Sequence, residues 1–473
     1  MNFSQLYTDG AWVAPLSTDR IAVENPATRE IIAHVPACGQ ADTDRAVAAA
    51  NAAAPRWQGT SPAARIEIAQ RALEHLLAAR DDIIELEIAE LGSSRKQTVA
   101  AHFEFQVQRI RTFIRLAERI PWETKLEHST MLREPFGVVA AITPWNYPLG
   151  QVVQKLLPAL LTGNTVVLKP SQHTPLTVYY LVDAFHRAGL PAGVLNLVTG
   201  RGGEVGDRLS AHPDVDMVSF TGSTSGGITV AQKALQTVKQ IHLELGGKSP
   251  LLLLPGGDAA VAARVTLGSL LPNCGQTCSA LSRLLVPIDR KEEAEAAVRQ
   301  ELARYTVGDP TDPATDIGCL SGRRQYDKVR HYIEQGLAEG ATMLTGSVPP
   351  ADPQGGYFVE PVVFTDVTPQ MTIAREEIFG PVLSVLTYTD IDEGVRLAND
   401  TVYGLNAAVC GPHAEAVRVA KRIRSGNVYI NDAPRDITAP FGGYKQSGIG
   451  REGGLVGLLD FTQTKVIFDE TRE

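Results

Sequence analysis

Three residues of this sequence have the types and surroundings that covalent chemistry at a carbonyl needs. Cys278 closes the run Asn273-Cys274-Gly275-Gln276-Thr277-Cys278, whose small and polar residues leave a thiol accessible rather than wedged in a core. Ionised, it is a nucleophile. Glu244 opens Glu244-Leu245-Gly246-Gly247-Lys248-Ser249-Pro250 at the end of a predicted strand, and strand ends beside permissive glycines are where open α/β sheets place reacting groups. Asn146 sits in Thr143-Pro144-Trp145-Asn146-Tyr147-Pro148, a turn flanked by prolines that follows another predicted strand, and its amide can donate to an oxyanion. Taken singly, each has an ordinary reading: an inert core thiol, a cap, a turn residue. Only their partnership points to catalysis.

The elements that must position them are read from periodicity. Apolar or β-branched runs at 138–142, 165–168, 194–198, 217–220 and 241–245 alternate with helix-like stretches at 149–161, 177–188, 203–210 and 226–235. Strands alternating with helices predict a parallel sheet covered on both faces. A second α/β pattern follows, with strands near 251–254 and 284–286 and helices near 259–271 and 292–305. Upstream, Phe103, Val107, Ile110 and Ile114 lay one apolar stripe along a helix from about 95 to 118. Residues 348–356 read as a surface loop, and 461–468 as a terminal strand in need of a sheet edge, which another subunit could supply.

Composition bounds the rest. At 473 residues and 44% hydrophobic, the chain exceeds the roughly 250–300 residues at which single cores divide, so two or more domains are expected. Lys plus Arg number 44 against 53 Asp plus Glu, which leaves no bulk positive field for nucleic acid or an anionic membrane. No signal sequence opens the chain and no apolar run approaches the ~18 residues a membrane span requires, so a cytoplasmic protein is expected. The five cysteines, Cys38, Cys274, Cys278, Cys319 and Cys410, fit reduced thiols. Cys274 and Cys278 have no second Cys or His pair nearby, and no metal site is expected.

The set resembles the aldehyde dehydrogenase superfamily from about residue 5 to the C-terminus. The carrying segments are 143–148, Lys169-Pro170-Ser171, Phe220-Thr221-Gly222-Ser223-Thr224, 244–250, Gly275-Gln276-Thr277-Cys278, Glu376-Glu377-Ile378-Phe379-Gly380-Pro381-Val382 and 441–452, in the family's order. The resemblance implies oxidation of an aldehyde to an acid. The Cys278 thiolate would form a hemithioacetal, stabilised by the Asn146 side chain and the Cys278 backbone N–H, and then a thioester hydrolysed with Glu244 as general base. Relatives that pass the acyl group to coenzyme A generally lack that glutamate, so hydrolysis is favoured over acyl transfer or a retired structural role. For Lys155 two readings stand, a proton relay and a structural ion pair.

The resemblance also implies a cofactor site. The turn Gly222-Ser223-Thr224-Ser225-Gly226-Gly227 follows a strand and opens a helix, so its N–H groups would face a pyrophosphate. Lys169 would reach the adenine ribose, and Glu377 and Phe379 the nicotinamide ribose and ring. Thr143, Pro144, Trp145, Ser171, Leu245 and Gly246 complete the expected contacts. Many NAD⁺-preferring relatives carry Glu where this chain has Gln172, and a neutral amide does not repel a 2′-phosphate. NAD⁺ is kept ahead of NADP⁺ because no additional Arg stands beside Gln172 in the sequence.

For the substrate, Gln151 and Gln154 share a helix face after Asn146, either solvated or turned to a polar or hydroxylated aldehyde. The resemblance implies an aldehyde tunnel lined by this helix, with Arg435 and Asp436 near its mouth. The implied architecture is a Rossmann-type cofactor domain (1–117 and 137–246), an α/β catalytic domain (247–447) and a small β oligomerisation element (118–136 and 460–473), in a homodimer or homotetramer.

Overall fold

The computed structural model describes residues 1–469. All five residues of Val138–Ile142 are buried, as a strand covered on both faces requires. That strand sits within a parallel core ordered Gln240–Glu244, Met217–Thr221, Val138–Ile142, Thr165–Lys169 and Leu195–Leu197. Leu6–Thr8 and Ala11–Val13 extend one edge and Gly448–Ile449 the other, all antiparallel. These edge strands are two or three residues long, too short to leave a periodic signal.

The parallel strands all finish at one edge, so Thr143, Lys169, Gly222 and Glu244 emerge side by side. The helix Pro148–Leu161 starts with proline at its first position, where no N–H is needed, and buries every residue. Thr224–Ala234 is capped by Ser223, whose Oγ accepts from the Gly226 N–H at 3.1 Å.

A second sheet is ordered Thr342–Thr345, Val362–Thr365, Val382–Tyr388, Leu281–Pro287, Ser249–Leu253, Asn406–Cys410 and Asn427–Ile430, parallel except for the first pair. Only residues 245–248 separate the last strand of the first sheet's parallel core from the first strand of the second. The site is therefore framed by the C-terminal edge of one sheet and the N-terminal edge of the other, because Cys278 and Glu377 lie just before Leu281–Pro287 and Val382–Tyr388.

Two expectations are corrected. The segment 95–118 is helical, but a π-helical stretch at Thr98–Glu104 interrupts it between Arg95–Gln97 and Phe105–Ala117. The wider turn swings the side chains of its residues, His102 among them. The terminal strand Thr462–Phe468 finds its edge in its own chain, pairing antiparallel with Ser129–Pro135, which also pairs with Glu123–Lys125. Residues 470–473 of the expected oligomerisation element lie outside the described residues. Residues 348–356 form a loop. Among the described residues no helix is long and apolar enough to cross a membrane.

Candidate active site

Cys278 follows a turn that the chain adopts at a cost. Asn273, Cys274 and Gly275 are all left-handed, with φ of 54°, 54° and 74°. For the two non-glycine residues that conformation costs roughly 1–3 kcal/mol each unless neighbours over-determine it. Neighbours do: Asn273 Nδ2 donates to the Asn146 carbonyl (2.7 Å), Gln276 Nε2 to the Asn273 carbonyl (2.9 Å), and the Ser321 N–H to Gln276 Oε1 (2.9 Å). A Cβ on Gly275 would lie 2.2 Å from the Gly380 backbone, so only glycine lets the turn seat there. Asn146 Nδ2 donates to the Gln276 carbonyl (2.8 Å), which ties the expected oxyanion donor to the expected nucleophile's own loop. Among the described residues the Cys278 backbone N–H donates to nothing.

Cys278 is half-buried and borders a cleft of about 840 Å³. Its thiol is pushed up to about 12, first by burial and then by the charges of Glu377, Glu244 and Glu452. An enclosed thiol among carboxylates stays protonated unless a base or a positive charge arrives.

Glu244 ends its strand and does not border the cleft. It is 3% exposed, both carboxylate oxygens lack a hydrogen-bond partner, and His242 Nε2 stands 3.7 Å from Oε1. Burial, and then the charge of Glu452, hold Glu244 well above the ordinary carboxyl value. Burial also lowers His242 to about 4, so a neutral imidazole lies against it. The glycine pair after Glu244 permits close approach: a Cβ on Gly247 would be 2.5 Å from the Cys278 carbonyl, and one on Gly246 would be 2.5 Å from the Glu377 carboxylate. Glu377 Oε1 accepts from the Gly247 N–H at 2.9 Å. The strand end, the cysteine loop and Glu377 are thereby packed together.

Lys155 is buried, with Nζ 2.7 Å from Glu452 Oε1 and 3.2 Å from Ser219 Oγ. Burial pushes Glu452 up, but Lys155 overrides it and keeps the carboxylate below its usual value. Of the two readings of Lys155, the ion pair is present, and its charge is one of those that reach Glu244.

Every residue expected at the cofactor borders the same cleft: Thr143, Pro144, Trp145, Lys169, Ser171, Gln172, Gly222, Ser223, Leu245, Gly246, Glu377 and Phe379. Trp145 meets Phe379 edge to face at 5.4 Å. Lys169 donates to the Pro170 carbonyl (3.1 Å) and is lowered by burial to about 8. Gly202 and Gly203 border the cleft with open space, nothing within 4 Å of where a Cβ would be, and the capped helix end at Ser223 borders the same cleft. Helix end, glycine pair and cation suit a dinucleotide's phosphates. The sequence offers no arginine beside Gln172, but the fold brings Arg324, from the helix Arg323–Ala338, to this cleft. The adjacent His173, although exposed at the surface, is held below its ordinary value by the protein around it and by the charges of Arg324 and Lys169.

On the substrate side, Gln151 and Gln154 are 8% and 6% exposed, which removes the solvated reading, and Gln151 borders the cleft. Arg435 lies over the rings of Phe105 (5.5 Å) and Phe441 (5.1 Å), whereas the exposed Asp436 accepts from the Thr438 N–H (2.8 Å). Sequence reasoning missed several members. The π-helical turn brings His102, 2.7 Å from Glu87, into a stack on Tyr147 at 4.5 Å, and Tyr147 Oη is 2.9 Å from Thr277 Oγ1 beside Cys278. Nothing in local periodicity signals such a turn. Glu452 and Arg324 are far from their partners in sequence, and only Glu452, within the segment 441–452, lay in a segment already singled out.

With this geometry in place, comparison with known proteins is informative. The model of the aldehyde dehydrogenase family matches residues 12–467. A crystal structure of a mutant of aldehyde dehydrogenase C from Pseudomonas syringae, in complex with NAD⁺ and octanal, is 43% identical, with a TM-score of 0.97 over 100% of this chain and 98% of that one. Aldehyde dehydrogenase from Mycobacterium tuberculosis in complex with NAD⁺ is 40% identical over 98% of each chain, with a TM-score of 0.95. Betaine aldehyde dehydrogenase from Staphylococcus aureus in complex with NAD⁺ is 35% identical over 98% of this chain and 94% of that one, also with a TM-score of 0.95.

Proposed function

The chain belongs to the aldehyde dehydrogenase family, and from that membership we propose that it oxidises an aldehyde to a carboxylic acid with NAD⁺, through a thioester on Cys278. The observation that carries this reading is the tie between Asn146 and the Cys278 loop on the wall of one large cleft. Cys278 passes its proton, directly or through water, to the basic form of Glu244, which must release it again before hydrolysis, and the thiolate attacks the carbonyl carbon. The Asn146 amide keeps one N–H beyond the one spent on Gln276, and that N–H and the free Cys278 N–H receive the oxyanion. Bound in the cleft, the oxidised nicotinamide supplies the hydride acceptor for conversion of the hemithioacetal to the thioester. Glu244, with neither oxygen committed, takes a proton from the water that hydrolyses the thioester. Lys155 and Glu452 set its electrostatic surroundings.

Lys169, Ser223, Gly222, Glu377 and Phe379 would hold the cofactor, with Thr143, Pro144, Trp145, Ser171, Leu245 and Gly246 shaping the cleft wall. Gln172, with Arg324 on the same cleft, admits NADP⁺ beside NAD⁺. The buried Gln151 and Gln154 favour a polar aldehyde. The edge strand Thr462–Phe468, with Val466, Ile467 and Phe468 exposed, suits a homo-oligomeric contact. The test is cofactor reduction by wild type and Cys278→Ser across an aldehyde panel, with NAD⁺ and NADP⁺ separate and coenzyme A omitted. Turnover confined to wild type supports the thioester route; equal turnover by the variant, or none by either, overturns it.

A further inference from the structure

Burying a guanidinium is least costly when every donor is met. None of the three buried arginines, Arg65, Arg109 and Arg283, forms an ion pair among the described residues, but in two of them all three nitrogens donate to carbonyls. Arg65 donates through three nitrogens to the Thr60 and Leu161 carbonyls, and Arg283 through three to those of Lys248, Leu397 and Ala398. Arg109, 8% exposed, donates only to Gln106 Oε1 (2.6 Å), and among the described residues it forms no ion pair. It lies on the ring of Phe105 at 4.9 Å, and Arg435, also without an ion pair among the described residues, lies over the same ring at 5.5 Å. Two cations thus share one aromatic ring with no carboxylate between them. The carboxylate whose charge reaches Arg109, Glu452, is already held by Lys155 at 2.7 Å, and Asp436 is turned to Thr438.

Neither arginine borders the cleft itself, but neighbouring residues connect the pair to it. Gln106, the partner of Arg109, packs against Gly150, where an added Cβ would come within 3.0 Å of its amide carbon. The next residue, Gln151, borders the cleft with its Oε1 buried and unpartnered. The charge of Arg435 acts on the thiol of Cys278 and on Tyr147, which contacts Thr277.

We propose that the aldehyde oxidised here carries a carboxylate at the end remote from its carbonyl, and that Arg109 and Arg435 receive that carboxylate across Phe105. The inference rests on the aldehyde oxidation proposed above and narrows its substrate class. A carboxylate would satisfy the unused donors of Arg109 and relieve the repulsion between the two guanidiniums. An aldehyde bearing a quaternary ammonium would meet the same two charges with repulsion.

The experiment compares kcat/KM for linear aldehydes of equal length ending in methyl, carboxylate or trimethylammonium, in wild type, Arg109→Gln, Arg435→Gln and Arg435→Glu. The expected order in wild type is carboxylate, then methyl, then trimethylammonium. The ratio of carboxylate to methyl should fall about tenfold or more in each Gln variant, mainly through KM, and Arg435→Glu should move the preference toward trimethylammonium. Arg435 is exposed, so its variants keep the test valid if Arg109→Gln fails to fold. Binding of glutarate, measured by calorimetry without aldehyde, separates the two readings. If no aldehyde turns over yet glutarate binds wild type and not Arg435→Gln, the oxidation reading fails and the carboxylate site stands. If the methyl aldehyde is turned over as well as its carboxylate partner and glutarate does not bind, the oxidation reading stands and this proposal is overturned.

Discussion

Replacing Asn146 by alanine separates the chemistry of its amide from its structural work. The side chain is 3% exposed and its Nδ2 is 2.8 Å from the Gln276 carbonyl. One N–H is spent there, and the other is the proposed oxyanion donor. Losing a positioned donor of this kind raises a barrier by about 3–4 kcal/mol. At about 1.4 kcal/mol per decade, that is a fall of roughly 10²–10³ in the acylation rate. The structural loss is smaller, because the Gln276 carbonyl also accepts from Asn273 Nδ2 at 3.4 Å, so about 1 kcal/mol is expected from the missing bond. Single-turnover cofactor reduction with enzyme in excess reads the first quantity, and thermal unfolding reads the second. Alkylation of Cys278 needs no oxyanion and should proceed at near wild-type rate in Asn146→Ala. An acylation rate within about fivefold of wild type would refute the oxyanion assignment. So would an equal loss of acylation and alkylation, since the substitution would then have displaced the cysteine loop.

Glu244 titrates well above the ordinary carboxyl value because of burial and then Glu452, so its basic form appears only as pH rises through that raised value. Thioester hydrolysis should accelerate over this range, read as the steady-state rate against pH, and a flat profile would contradict Glu244 as base. The folded state also binds this proton more tightly than the unfolded chain, so the associated stability is lost as pH climbs from 4.5 through the folded value. Lys155→Met leaves Glu452 buried and unpaired and should cost about 3–5 kcal/mol in denaturant unfolding, most of it regained in the double variant with Glu452→Gln. Strictly additive losses would show that the pair does not act as a unit. Gln172→Glu introduces a carboxylate on the cleft wall where the adenine ribose is proposed to bind, and should worsen KM for NADP⁺ relative to NAD⁺ by about tenfold. An unchanged ratio would mean that the 2′-phosphate lies elsewhere.

The parallel core was legible because its strands are runs of buried apolar residues separated by helical periods. The strands at 138–142 and 217–221 and the helix after Asn146 emerge within a residue of their predicted bounds. The edge strands Leu6–Thr8 and Gly448–Ile449 were not, because three and two residues are too few for an alternation to repeat. Cys278, Glu244 and Asn146 could be singled out because glycines and prolines mark the turns that carry them. Their mutual arrangement could not, since it depends on left-handed Asn273 and Cys274 and on an exchange of amide contacts across 127 and 130 residues of chain. Lys155 shows the limit most clearly. A lysine on an apolar helix is a visible anomaly, but its carboxylate lies 297 residues away, and only folding reveals whether the charge is met.

The central claim, a thioester on Cys278 released by Glu244, is tested most directly by intact-protein and peptide mass spectrometry of Glu244→Gln after incubation with an aldehyde and NAD⁺. The expected result is a mass gain equal to the acyl group, located on Cys278 and discharged by hydroxylamine. Cofactor reduction with no adduct, or an adduct on another residue such as the buried Cys274, would contradict it.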